Sequence, residues 1–367
     1  MRTVPLVTPA VATAAAAAVL AVATWLPATT AVASSDPLNR SGVVVDGRQP
    51  PKVRAASWIV VDADTGEVLA AKNGHGQLRP ASTLKTLTAI TLLPRLDLHA
   101  EYRVRWEDAN TVGSAVGIVP GSHYTIDQLF YGLLLPSGND AAEALASAAG
   151  GKRATVRAMN EHAVDLGAVD TVARNVTGLD AKGQVSSAFD MAIFARAGLQ
   201  DRDFRRYVST VSTTFPAQEP KRDKRRATYM IYNQNPLLLD GYRGILGVKT
   251  GYTTLAGRTF VAAVKRGGRT LIVALMGLVD PTDVSAERLF TWGFAHADKV
   301  TPVGSLEAGI EEPKHPSSVA TTAAPQAAGL SADAFDSHGT FGAVTALGVT
   351  GALGLLIGGV WLRRRRT

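Results

Sequence analysis

The chain has 367 residues, 46% hydrophobic and 19% charged, with a formal net charge of +7 and no cysteine. This supports one large core or two modest ones, and the missing thiols exclude disulfides, thiolate metal sites and a cysteine nucleophile. The positive excess is carried by Arg363–Arg366 and by the run Lys221 to Arg226. What remains is near neutral, which excludes a nucleic-acid footprint.

Residues 1–33 open with Arg2, pass through an Ala/Val/Leu run and end in Ala31-Val32-Ala33, the pattern of a cleaved secretory signal peptide. Residues 34–56 are polar and broken by Pro37, Pro50 and Pro51, which predicts a leader. Ser57–Val61 reads as a buried strand, Asp64-Thr65-Gly66 as its turn and Glu67–Ala71 as the returning strand. An apolar helix is predicted from near Ser82, with Leu84, Leu87, Ala89, Ile90 and Leu93 inward and Pro94 as its stop. Lys85 falls one turn after Ser82 on the same face. Either Ser82 caps the helix while Lys85 snorkels to solvent, or burial lowers the lysine pKa and makes it a base beside a serine nucleophile.

Thr125 or Asp127 is positioned to cap a helix through Leu129, Phe130, Leu133 and Leu134. Ser137-Gly138-Asn139 then forms a short connection into the next helix. Further helices are expected over Val156–Leu166 and, capped by Ser186 or Ser187, over Phe189–Ala197. The run at 221–226 reads as a solvated loop or as a patch for anionic wall polymers or lipid headgroups. Beyond residue 244 come three strands, Gly244–Gly251, Thr259–Val264 and Leu271–Met276, and a closing helix over Val284–Ala297. These strands and the early hairpin can share one antiparallel sheet packed with the helices, an α+β architecture.

Residues 301–340 are rich in Ala, Thr, Ser, Pro and Gly and predict a flexible linker. Residues 341–362 carry no charge, and 22 helical residues rise about 33 Å, enough for a hydrocarbon core of about 30 Å. A transmembrane helix is therefore expected there, with 363–367 as a cytoplasmic basic tail and the body, residues 57–300, on the outer side.

Three patterns occur once each and in this order: Ser82-x-x-Lys85, Ser137-Gly138-Asn139 and Lys249-Thr250-Gly251. Penicillin-binding proteins and serine β-lactamases carry sets of this kind. With the flanking Arg79-Pro80-Ala81, Thr177-Gly178-Leu179-Asp180 and Tyr252-Thr253-Thr254-Leu255-Ala256-Gly257, residues 55–300 resemble a low-molecular-mass penicillin-binding protein of the D-alanyl-D-alanine carboxypeptidase type. The resemblance implies the serine β-lactamase/D,D-peptidase fold, with peptidoglycan stems ending in D-Ala-D-Ala as substrate and β-lactams as covalent inhibitors. It implies Ser82 as nucleophile, Lys85 as its base and Ser137 as a proton relay. It also implies Asn139, Lys249, Thr250 and Gly251 at the substrate, with the backbone N–H groups of Ser82 and Tyr252 as the oxyanion hole, and no metal or cofactor. The residue that binds the substrate carboxylate from further downstream stays open between Arg258 and Arg288.

Other readings use the same residues. A class A β-lactamase would need a deacylating glutamate, yet Glu143, Glu161 and Glu219 lie in no Glu-x-x-Leu-Asn setting. An endopeptidase or transpeptidase differs only in what takes the acyl group, and a non-enzymatic receptor would not need the intact trio. A zinc carboxypeptidase is disfavoured because the seven histidines include no His-x-x-x-His pair.

Overall fold

A computed structural model describes residues 36–221 and 224–307. The expected signal peptide, the transmembrane segment 341–362, the tail 363–367 and nearly all of the linker lie outside the described residues.

The chain begins with strands β1 (Val43–Val44), β2 (Ala55–Asp62) and β3 (Glu67–Lys72), followed by helix α1 (Lys85–Leu92). Next come β4 (Glu101–Arg103), α2 (Trp106–Ala109), β5 (His123–Thr125), α3 (Ile126–Leu134), α4 (Asn139–Ala148), α5 (Lys152–Asp165), α6 (Ala188–Gly198) and α7 (Arg202–Ser209). A hairpin of β6 (Ser212–Pro216) and β7 (Thr228–Tyr232) leads through α8 (Pro236–Leu239) to β8 (Ile245–Thr253), β9 (Gly257–Arg266) and β10 (Arg269–Leu278). Helix α9 (Thr282–His296) and strand β11 (Gly304–Ser305) complete the described part.

The main sheet runs β1-β3-β2-β10-β9-β8, antiparallel throughout, with β11 also paired to β3. As expected, the early hairpin joins the late strands, because β2 pairs with β10. The near-continuous apolar runs of β2, β9 and β10 follow from burial on both faces. Ile59, Val61, Val261, Ala263, Ile272 and Ala274 pack under the helical cluster of α1 and α3–α7. The alternate residues Trp58, Val60, Phe260, Ala262, Val273 and Leu275 pack under Leu289, Phe290 and Trp292 of α9. The result is a three-layer α/β/α sandwich of α+β class.

Helix ends follow the chemistry read from the sequence. Thr125 Oγ1 accepts from the Gln128 N–H while the Gln128 side chain accepts from the Thr125 N–H, a capping box at the start of α3. Ser187 caps α6 by accepting from the Asp190 N–H.

Four segments differ from the sequence reading. Ser82 is not the first α-helical residue: Ala81–Leu84 forms a 3-10 turn, and the α-helix starts at Lys85. The leader is partly structural, since β1 pairs with β3 and Leu38 is buried. The body also continues past residue 300, where Thr301 bridges Asp46, β11 pairs with β3 and Leu306 is buried. Low apolar content hid this segment, because backbone pairing at a sheet edge needs few side chains. The basic run is not wholly solvated either. Arg226 donates to the carbonyls of Ala217 and His123, both at 2.6 Å, and stacks its guanidinium on Tyr124.

Helix α1 is buried on every side, down to Thr86, Thr88 and Thr91. Leu87 is fully buried in its centre. Leu87→Ala is expected to destabilise the fold by about 2–5 kcal/mol, read as a lower midpoint in thermal or urea unfolding of the full chain.

Candidate active site

The site is assembled where the 3-10 turn, the start of α4, the loop at 175–180 and the edge strand β8 meet. The turn is set by Pro80, whose carbonyl accepts from Thr83 Oγ1 at 2.5 Å and from Thr259 Oγ1 at 2.8 Å. Ala81 is held at φ 49°, a conformation costly for a residue with a Cβ. Two glycines let the surrounding backbone close on this turn. Gly178, at φ 85°, lies so near the Ala81 carbonyl that any Cβ would overlap it. A Cβ on Gly251 would overlap Thr259 Oγ1 and come within 2.8 Å of the Ser82 amide nitrogen. Gly251 of the third motif thus serves close approach of β8 to the nucleophile's turn.

Lys85 Nζ is fully buried and has three oxygens around it: Asn139 Oδ1 at 2.6 Å, the Thr177 carbonyl at 2.6 Å and Ser82 Oγ at 3.0 Å. The Asn139 amide is oriented by its own Nδ2, which donates to the Val112 carbonyl at 2.6 Å, so its oxygen must face the lysine. Burial holds the Lys85 pKa well below the usual lysine range, and the nearby charge of Lys249 adds to the effect. A neutral amine has two N–H bonds and one lone pair. Asn139 Oδ1 and the Thr177 carbonyl can only accept, so they take both hydrogens. Protonated, Lys85 donates its third hydrogen to Ser82 Oγ; deprotonated, it would present its lone pair to the Ser82 hydroxyl. Neither the capping role for Ser82 nor the snorkelling role for Lys85 is realised: Ser82 Oγ meets the lysine, and Lys85 has no exposed surface.

Ser137 sits on the connection before α4 at φ 64°, 2% exposed, and among the described residues its Oγ has no hydrogen-bond partner. A buried hydroxyl left unpaired in strained backbone is costly, and such groups collect at reactive sites. Lys249 is also buried, donates to the Thr250 carbonyl at 2.9 Å, and has its pKa lowered to about 7 by burial. Thr250 is half-buried, and the Tyr252 ring is 65% exposed. Arg258 is exposed opposite Tyr252 in the β8–β9 register, whereas Arg288 lies on α9 in the layer beyond the sheet.

Sequence reasoning missed the groups that hold this arrangement. Asp140, 1% exposed, accepts from the backbone N–H groups of Val116, Gly117 and Ile118. It thereby fixes the loop whose Val112 carbonyl orients Asn139. Asn175 Oδ1 accepts from the N–H groups of Thr177 and Gly178 and from Thr177 Oγ1, while Gln184 Oε1 accepts from the N–H groups of Arg174 and Asn175. These pairings shape the loop that presents the Thr177 carbonyl to Lys85. The available signal was the clustering of Asn, Asp and Thr beside the motifs, which is common to ordinary turns.

The chain is similar to known proteins. The D-alanyl-D-alanine carboxypeptidase family profile matches residues 45–279. The D-alanyl-D-alanine carboxypeptidase DacB2 of Mycobacterium tuberculosis is 41% identical over 263 residues, covering 70% of this chain and 87% of the relative. DacD of Escherichia coli, named as the same activity, is 35% identical over 263 residues, covering 67% of this chain and 64% of the relative. Among solved structures, a D-alanyl-D-alanine carboxypeptidase from M. tuberculosis superposes with a TM-score of 0.67 at 40% identity, over 71% of this chain and 99% of that one. A Streptomyces DD-transpeptidase superposes with a TM-score of 0.63 at 28% identity, over 68% of this chain and 100% of that one. The profile spans β2, β3, β8, β9 and β10 of the sheet and all three motifs, and the chain therefore belongs to the D-alanyl-D-alanine carboxypeptidase family.

Proposed function

We propose that the protein is a serine-type D-Ala-D-Ala carboxypeptidase that removes the terminal D-alanine from peptidoglycan pentapeptide stems and is acylated by penicillins. The single observation that carries this reading is the solvent-excluded Lys85 amine at 3.0 Å from Ser82 Oγ, with Asn139 Oδ1 and the Thr177 carbonyl as its other two partners.

The reaction uses that arrangement directly. Ser82 Oγ attacks the carbonyl of the penultimate D-alanine as its proton passes to Lys85 Nζ. Negative charge builds on the carbonyl oxygen, and the N–H groups of Ser82 and Tyr252 serve as the oxyanion hole, worth about 3 kcal/mol each. The C–N bond breaks, the proton reaches the leaving amine through Ser137, and D-alanine departs. Water then attacks the ester, its proton passing to the same base, and Ser82 is regenerated. Lys249 and Thr250 hold the terminal carboxylate, which favours a C-terminal dipeptide. Asn139 serves substrate binding as well as Lys85.

A β-lactamase reading has less support. Glu143 pairs with Lys152 at 3.0 Å and Glu219 pairs with His123 and Arg226, and although Glu143 lies close enough to act on the charge of Lys85, among the described residues no carboxylate hydrogen-bonds Ser82 Oγ.

Export and anchoring belong to the same proposal. The signal-like residues 1–33 and the apolar segment 341–362 followed by four arginines support a body on the outer face, tethered by a C-terminal transmembrane helix. Among the described residues no helix is long and apolar enough to cross a membrane. The expected partners are therefore wall peptides, β-lactams and the bilayer.

Incubating the full chain with penicillin is expected to give a penicilloyl adduct at Ser82 by peptide mass spectrometry, and incubation with a D-Ala-D-Ala peptide to release free D-alanine. Ser82→Ala should abolish both, and Lys85→Ala should slow acylation at least 100-fold with little change in non-covalent binding. A folded parent that forms no adduct and releases no D-alanine overturns the reading.

The two lysines predict a bell-shaped pH profile for kcat/KM. On the acid side Lys85 gains a proton and loses its lone pair. On the alkaline side Lys249 of the free enzyme discharges from about pH 7 upward. Lys249→Arg, which stays charged, should flatten the alkaline limb relative to its own value at neutral pH. An unchanged alkaline limb would remove Lys249 from the carboxylate site.

For the anchor, the full chain should sediment with membranes after high-salt washing, and a chain ending at residue 340 should remain in the supernatant.

A further inference from the structure

A groove of about 510 Å³ lies outside the catalytic centre, lined by Arg103, Arg105 and Trp106 among others. The Trp106 indole is 66% exposed, although tryptophan is a costly side chain to leave in water, and Arg103 and Arg105 are exposed beside it. Arg103 spends only its Nε, on the Gly121 carbonyl at 3.3 Å. Glu101 and Glu107 neighbour the two arginines in the chain, so this surface has little net charge. A broad apolar ring face flanked by unspent N–H donors, without a strong field, suits a neutral, hydroxyl-rich ring better than a polyanion.

The groove is coupled to the catalytic centre in two ways. Asp108, in the same short helix as Trp106, accepts from Ser147 Oγ at 2.6 Å, which ties α2 to the far end of α4. The near end of α4 is Asn139. Downstream of Trp106 the chain reaches Val112 in six residues, and the Val112 carbonyl orients the Asn139 amide. The eight residues from Asn139 to Ser147 rise about 12 Å along the helix. A stem peptide has four residues between its sugar and the bond cut beside Ser82, and four extended residues span about 13 Å.

We infer that the Trp106 groove is a subsite for the amino-sugar glycan strand that carries the stem peptide, with the indole stacking on a sugar ring and Arg103 and Arg105 donating to its acetamido and hydroxyl oxygens. The inference rests on the carboxypeptidase reading for its choice of polymer, but it is tested without catalysis.

The first measurement is co-sedimentation of the full chain with insoluble glycan strands from which the stem peptides have been enzymatically removed. The parent should bind, Trp106→Ala should weaken binding about tenfold, the scale of one lost aromatic stack, Arg105→Ala should weaken it less, and Trp106→Tyr should retain most of it. The second measurement compares D-alanine release from a short soluble peptide and from glycan-linked stems. Trp106→Ala should leave kcat/KM on the soluble peptide unchanged while raising KM on the polymer. A parent that does not sediment with stem-free glycan overturns the subsite, as does a variant that loses both substrates equally. If the parent binds glycan but releases D-alanine from neither substrate, the carboxypeptidase reading falls and the glycan subsite stands.

Discussion

The structure depends on keeping one amine dry. Lys85 Nζ is shut off from water and meets three oxygens, and holding it there draws in separate parts of the chain. Helix α1 must be buried on every side, which makes it the centre of the helical cluster rather than a surface helix. Asn139 must face inward, so the chain before α4 turns sharply through the strained Ser137. The Thr177 carbonyl must point at the amine, so the loop around it is tied by Asn175 and Gln184. Dehydration, the oriented amide and the oriented carbonyl together amount to a preorganised environment that needs no rearrangement when the proton moves.

The second lysine repeats the strategy with a different outcome. Lys249 is equally buried, yet its one hydrogen-bond acceptor is the carbonyl of the next residue, so spare donor capacity remains for an incoming carboxylate. A charge on Lys249 disfavours a second one on Lys85, which adds to the effect of burial in lowering the Lys85 pKa. In the proposed reaction a terminal carboxylate beside Lys249 would offset the cost of burying that charge.

Much of this was legible in the sequence because it is written locally. The strands of the sheet, the Thr125 and Ser187 caps, the closing helix and the order of the three motifs all follow from short-range pattern, and the motif residues meet as expected at Ser82, Lys85 and Asn139. What escaped depends on contacts between distant segments. Helix α7 carries Phe204, Tyr207 and Val208 among arginines and aspartates, so its apolar face is narrow and easily read as loop. Strands β1 and β11 are two residues each, too short for a period to register. Asp140 is in the first turn of α4, and only the fold shows that three amides of another loop converge on it. The role of Gly251 is likewise invisible until β8 is seen to lie against the Ser82 turn.

The short strands β1 and β11 have a mechanical consequence. Both pair with β3, and the bridge between Asp46 and Thr301 joins the segments that carry them, so the chain enters and leaves the described fold at one border of the sheet. Strand β8, which carries the third motif, forms the opposite border, five strand spacings away, or about 24 Å. Tension applied through residue 307 is therefore taken up by the β3 border and dissipated across the sheet before it reaches Ser82. The short β11 pairing is accordingly the backbone contact that a pull from the C-terminal side would test first, on the border of the sheet away from β8.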